Sequence, residues 1–410
     1  MTQNAQHSRT PFGMKSGDAA LLSILTADFF GSVAGALVHL TMVWWVLSQG
    51  VSGPTVSLLV LCIFLPLNAG VLLTGVAVDR FGSRTLLIWS KSIATCGAIA
   101  CCILLATQSM TLPILALLAI VTYGAMAPSV AADISRVPSI TRLATRRLET
   151  FHATNGIVLV IGQMLGLWGA GVLWDTVGPA AAVGLGVLMV LMSTAITWVG
   201  FPRDRIPPRS PLSIINRVKA LSRSVLSNLN GPKIDLSKVF ASAAIIATAQ
   251  ACIEVAFPIA IAAAQLPASA LSMALVCAVI TGVTATILAE RTYASIHLPK
   301  ALLGIAIALF AILLLATTLP GIVGFYIAVG TTSAAAAAAG TYTITAIQER
   351  MPVSLQAQAI GLWEFLVLSV GSVTILLTGF SGNWSLHFIT FIAAISVFAV
   401  FWAIKRPSQI

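Results

Sequence analysis

The chain is short of charge. Of its 410 residues only 8% are Asp, Glu, Lys or Arg, and just 12 are acidic, whereas 58% are hydrophobic. So few charges leave no polar shell to hold a chain of this size in water. Cysteine is scarce as well. All six (Cys62, Cys96, Cys101, Cys102, Cys252, Cys277) fall inside long apolar runs, and none has metal-site spacing. They are expected to be free thiols packed as small apolar groups. The G-x-x-x-x-G-K-[ST] phosphate loop is missing, which argues against direct use of ATP. No His, Cys and Asp set has catalytic or metal spacing, so neither enzyme chemistry, a cofactor nor a metal is expected. The first sixteen residues lack an apolar region followed by a small-residue cleavage site and read as a cytoplasmic tail. The net charge of +10 raises nucleic acid as a partner. That reading fails because the basic residues flank apolar runs and form no separate basic face; anionic lipid headgroups are the expected counter-charge.

What the chain does have is a near-continuous series of apolar segments of roughly 20 residues, the length of helix that crosses a bilayer core of about 30 Å. The pattern predicts spans at 19–47, 54–78, 85–107, 112–134, 150–174, 179–201, 239–264, 269–289, 300–318, 321–346, 357–379 and 384–404. Six connections, Ser48–Pro54, Thr107–Thr111, Trp174–Pro179, Gln265–Ser269, Thr317–Gly321 and Gly379–Asn383, carry no Lys or Arg. The alternate connections collect the positive charge, which predicts that they and both termini are cytoplasmic, as in a bacterial-type inner membrane.

One long polar stretch interrupts the series. It holds Arg203, Arg205, Arg209, Arg217, Lys219, Arg223, Lys233 and Lys238 together with prolines that include Pro202, Pro207, Pro208 and Pro211. It divides the chain into a tail at 1–18, a first six-helix bundle at 19–201, a linker at 202–238, a second bundle at 239–404 and a tail at 405–410. The halves look repeated. Asp79-Arg80 follows the second span and Glu290-Arg291 the eighth; laying Gly162 on Gly371 sets Asn155 on Glu364. Two repeats with a solute path between them is a secondary-transporter arrangement.

The sharpest motif is Gly75-Val-Ala-Val-Asp79-Arg80-Phe-Gly82-Ser-Arg84. Gly75 permits close helix approach, Asp79 supplies an anion for a helix N-terminus or an arginine, and Gly82 allows a tight turn. Here the chain resembles the major facilitator superfamily, whose loop reads G-x-x-x-D-R-x-G-x-R. Within it the chain looks most like the macrolide-efflux and enterobactin (siderophore) exporter branch. That likeness rests on Trp44-Trp45, on Arg147 with Asn155-Gly156, and on Gly162-Gln163-Met-Leu-Gly166-Leu-Trp-Gly169. Lysophospholipid transporters are a related match. The resemblance implies a twelve-helix, all-α major facilitator fold, alternating access and commonly proton exchange. Gln163 stands where family antiporters usually place Pro, and Asp28 lies one turn before Gly31.

Intramembrane acids point most directly to function, because a carboxylate in hydrocarbon persists only with a task or a partner. Asp28, with Ser32 one turn on, lies in the first span; Glu254, one turn beyond Gln250, in the seventh; Glu364 in the eleventh. These five form the candidate proton and substrate site. No Lys or Arg is expected to pair with them, since Lys91 stands close enough to the cytoplasmic face to snorkel. Each acid could load a proton, bind a cationic solute, or be a protonated group bonded to a neighbouring helix. His39 lies about 16 Å along the helix from Asp28 and reads as an outer-end cap. Asn155 can bond across helices, with packing favoured over contact with substrate. Gly75, Asp79, Arg80, Gly82 and Arg84, with Asp133 and Arg136, are the candidate inner gate, for which simple topology charge is the alternative. The all-Ala/Gly run at Ala334–Gly340 suits a thin, closely packed helix. The acids together with the resemblance imply a proton-coupled exporter of an amphipathic organic solute; the resemblance points to a siderophore first and a drug-like compound next, and the residues do not separate the two. The exporter would act as a monomer with protons, solute and membrane lipids as partners. A lysophospholipid transporter, an importer and a transport-dead sensor are the alternatives.

Overall fold

The computed structural model is described for residues 16–126, 148–200, 236–292, 298–318, 322–350 and 353–380. Among them there is helix and no strand. The helices are α1 (Ser16–Ser48), α2 (Gly53–Phe81), α3 (Ser83–Ala106), α4 (Leu112–Met126), α5 (Leu148–Thr176) and α6 (Pro179–Gly200). In the second half α7 (Leu236–Ala251) runs through a π-helical turn, Cys252–Ala256, into α8 (Phe257–Ala263). They are followed by α9 (Ala268–Thr292), α10 (Leu298–Thr318), α11 (Ile322–Arg350) and α12 (Val353–Phe380). Ten of the expected spans coincide with these elements within a few residues; the fourth, expected at 112–134, is described as far as Met126, and the twelfth and the linker up to residue 235 lie outside the described residues.

Among the described residues seven helices are long and apolar enough to cross a membrane. Their outward faces carry large apolar side chains left uncovered, among them Trp89 (63% exposed), Trp198 (65%) and Val199 (86%). Lipid rather than water suits such a surface. The chain is thus a multi-pass membrane protein. Five cysteines (62, 96, 101, 102 and 277) are free thiols.

Four of the connections without Lys or Arg are tight, and each turns on one residue with positive φ: Gly50 (65°), Gln108 (54°), Gly178 (109°) and Gln265 (54°). After α5 the Gly178 N–H reaches back to the Leu173 carbonyl (2.8 Å), and after α8 the Leu266 N–H reaches the Ile261 carbonyl (3.2 Å). These bonds satisfy carbonyls that the helix end would otherwise leave open.

The chain forms two compact units. The first comprises 1–42 and 69–210, the second 43–68 and 211–410. In the first unit, α1 is gripped by α5 and α6 at glycines. A Cβ on Gly166 would stand 2.5 Å from the Val33 carbonyl oxygen, and one on Gly162 would stand 2.9 Å from that of Phe29. Helix α3 lies along α6. In the second unit α9 and α11 pack closely, with the Ser333 hydroxyl donating to the Ala278 carbonyl (2.6 Å) and Thr281 to that of Gly330 (2.9 Å). The Ala-rich run of α11 permits this approach, as its composition suggests. The front half of α2 belongs to the second unit. There Ser57 donates to the Ile375 carbonyl of α12 (2.9 Å), beside a cluster of Val60, Leu61, Val255 and Ile375.

Candidate functional site

The first unit concentrates polarity where α1, α3, α5 and α6 meet. Asp28 is half-buried on α1, and the Asn155 side chain on α5 hydrogen-bonds its carboxyl. Asn155, which the sequence lets bond across helices, is therefore a direct partner of the acid. Its own Oδ1 is buried with no hydrogen-bond partner. The Lys91 ammonium on α3 acts electrostatically on the same carboxyl. The sequence places no Lys or Arg to pair with the acids and lets Lys91 snorkel; the structure adds the electrostatic reach of Lys91 to Asp28. Lys91 Nζ turns inward instead, donating to Ser193 Oγ (3.0 Å) and Thr197 Oγ1 (2.9 Å) of α6. Neither hydroxyl was singled out from the sequence. They lie at i and i+4, which places both on one face of α6. Ser32, the second candidate on α1, donates its hydroxyl to the Leu159 carbonyl of α5 (2.8 Å), so it clamps the crossing that Gly162 makes close.

In the second unit Gln250 and Glu254 flank and enter the π-turn. Pro258 is the local cause. It has no N–H to give the Glu254 carbonyl, and its ring crowds that carbonyl, so the i−4 ladder reopens with a wider turn. Such turns re-aim side chains and recur at functional positions. Glu254 is half-buried, with hydrogen-bonding or electrostatic company of its own. Gln250 Oε1 is buried without a hydrogen-bond partner and packs against Gly371 of α12, 2.6 Å from where a Cβ would stand there. Glu364 lies in α12, but its side chain is outside the described residues. The neighbouring Trp363 is buried and donates from Nε1 to Ser242 Oγ of α7 (3.1 Å).

The motif loop is described in part. Gly82 adopts φ 80°, a conformation that glycine takes freely, and starts α3. Arg84 Nη2 donates to the Trp198 carbonyl (2.6 Å) at the C-terminal end of α6, where a cation meets the negative end of the helix dipole. Gly75, Asp79 and Arg80 lie in α2 with side chains outside the described residues, as are Asp133 and Arg136 altogether. His39 meets Tyr123 of α4 edge to face, ring centroids 6.1 Å apart, a packing contact between helices.

Neither a family model nor a curated protein sequence matches the chain. Solved structures do. A variant of the nucleoside transporter NupG superposes with a TM-score of 0.78 at 12% identity, covering 94% of this chain and 100% of that one. An inward-facing, unoccupied bacterial homolog of the human lysosomal transporter Spinster gives 0.72 at 12% identity, covering 95% of this chain and 97% of that one. A D-xylose-proton symporter gives 0.71 at 14% identity, with 94% and 96% covered. At such identities the likeness speaks for the fold, and with the all-helical, apolar architecture it makes this chain a membrane protein of the major facilitator fold.

Proposed function

We propose that the chain is a secondary active transporter that exports an amphipathic organic solute against protons by alternating access. The observation that carries this reading is Asp28, a carboxyl held among four apolar helices with Asn155 and Lys91 as its company. Such a group is costly to keep in hydrocarbon and answers to protons and polar solutes. Glu254, on its π-turn, supplies a second such group from the other repeat, and Ser32, Gln250 and Glu364 complete the set. A siderophore or a drug-like compound fits the resemblance in the motifs. The Gly75–Arg84 loop, with Asp133 and Arg136, serves as the inner gate; the Arg84 bond to the end of α6 supports a fixed anchor there. The two six-helix repeats at 19–201 and 239–404 are the alternating bodies, and the bond from Ser57 to the Ile375 carbonyl is a contact that their exchange has to break. The protein works as a monomer in the bacterial inner membrane with both termini cytoplasmic.

Two other readings draw support from specific observations. The D-xylose-proton symporter among the structural neighbours favours solute import, and the likeness of the motifs to lysophospholipid transporters favours a lipid-like cargo. Untargeted metabolite analysis of cells and medium in a deletion strain separates the three. Export predicts a compound that accumulates inside the cells. Import predicts one left in the medium, and a lipid transporter predicts a change confined to the membrane fraction. An unchanged profile in all three fractions contradicts a transport role.

A further inference from the structure

Lys91 stands eight residues beyond the first residue of α3, Ser83, about 12 Å along the axis. From there an aliphatic stem could carry the ammonium toward the membrane face. The structure turns it inward, into a cradle whose chemistry is one-sided. Ser193 Oγ gives its single hydrogen to the Ala27 carbonyl (2.7 Å), and Thr197 Oγ1 gives its own to the Ser193 carbonyl (2.8 Å). With those hydrogens committed, both hydroxyls can only accept, and an ammonium can only donate. The cradle therefore suits a charged lysine and nothing that needs a donor. It is also tied to the acid, since Ala27 immediately precedes Asp28. Ser193 is fully buried, so water does not compete for its oxygen.

The result is a carboxyl that already has a cation and an amide donor of the fold for company. Asn155 donates to it, Lys91 acts on it, and the polar atom left over is an acceptor, the buried Asn155 Oδ1. We propose that Lys91 is a specificity-determining residue: an internal cation that keeps organic cations out of the Asp28 site and leaves it to uncharged solutes bearing N–H or O–H donors, one of which Asn155 Oδ1 accepts. This rests on the transporter reading for its biological meaning, yet it concerns binding and is testable without transport.

The test is equilibrium binding of ethidium, an aromatic cation, to purified full-length protein in nanodiscs, followed by fluorescence anisotropy. The native protein is expected to show no saturable binding. Lys91→Met is expected to bind ethidium at least tenfold more tightly, and adding Asp28→Asn to that variant is expected to abolish the gain. Equal ethidium binding with and without Lys91 overturns the proposal, as does saturable, Asp28-dependent binding by the native protein. A melting cycle guards against a misfolded variant. Asp28→Asn alone strands a buried ammonium and is expected to lower the melting temperature, and Lys91→Gln added to it is expected to restore at least half the loss. Purely additive losses would show that the two residues are uncoupled and overturn the proposal. A protein that shows the ethidium switch but moves no solute in vesicles keeps this inference and loses the transport reading.

Discussion

The two units build the same crossing twice and finish it differently. In the first, α5 meets α1 at Gly162 and Gly166, and what opposes each glycine is α1 backbone. In the second, α12 meets α7 at Gly371, and what opposes it is the end of a flexible side chain, Gln250. The first crossing is clamped by Ser32 and holds an acid with a cation and an amide around it. The second is followed by a helix that breaks its own hydrogen-bond ladder at Glu254. One unit sets backbone against its glycines at the polar centre, whereas the other sets a flexible side chain there.

Substitutions can break that contrast. The largest effect is expected at Gly166→Ala. The new methyl group meets the Val33 carbonyl and Ala36 Cβ at 2.5 and 2.7 Å, and neither moves unless α1 does. About 3 kcal/mol of stability should be lost, read as a fall in melting temperature or in monodisperse yield. Gly371→Ala asks only that Gln250 rotate and should cost less than about 1 kcal/mol. Equal losses at both sites would erase the distinction between the units.

The bonds across helices give a second contrast. Ser193→Ala removes a hydroxyl that accepts from Lys91 and donates to Ala27, a charge-assisted contact worth about 2 kcal/mol. Ser242→Ala removes the neutral acceptor of Trp363 and should cost about 1 kcal/mol in the same melting assay. Ser32→Ala, which frees the Leu159 carbonyl, should cost about 0.6 kcal/mol. The smallest effect concerns a feature the units share. Gln108 and Gln265 sit at φ 54° after α3 and α8, and Gly at either position should stabilise by no more than about 0.5 kcal/mol. Stabilisation in one unit and loss in the other would show that these caps are not equivalent.

Much of this architecture was legible because a bilayer sets helix length. The third span, expected at 85–107, is helical over Ser83–Ala106, and the sixth, expected at 179–201, over Pro179–Gly200. The π-turn was less so. A hydrophobic run reads the same whether a turn holds one residue more or fewer, although Pro258, four residues after Glu254, was a usable sign. The inward turn of Lys91 was hidden for a different reason. Its distance from the span end permitted snorkelling, and what draws it inward lies 102 residues later, on α6. The Asp28–Asn155 contact likewise joins helices remote in sequence. Carboxyls could be found by their cost in hydrocarbon, but their partners depend on helix rotation, which a uniformly apolar pattern does not fix.

In the proposed mechanism half-buried carboxyls in both repeats couple solute movement to protons. Its most direct test is proteoliposomes loaded with a pH-sensitive dye and given the solute that accumulates in the deletion strain. The native protein should show solute-dependent proton flux, and the Asp28→Asn, Glu254→Gln double variant, reconstituted to the same level, should show none. Undiminished flux through the double variant would contradict the account.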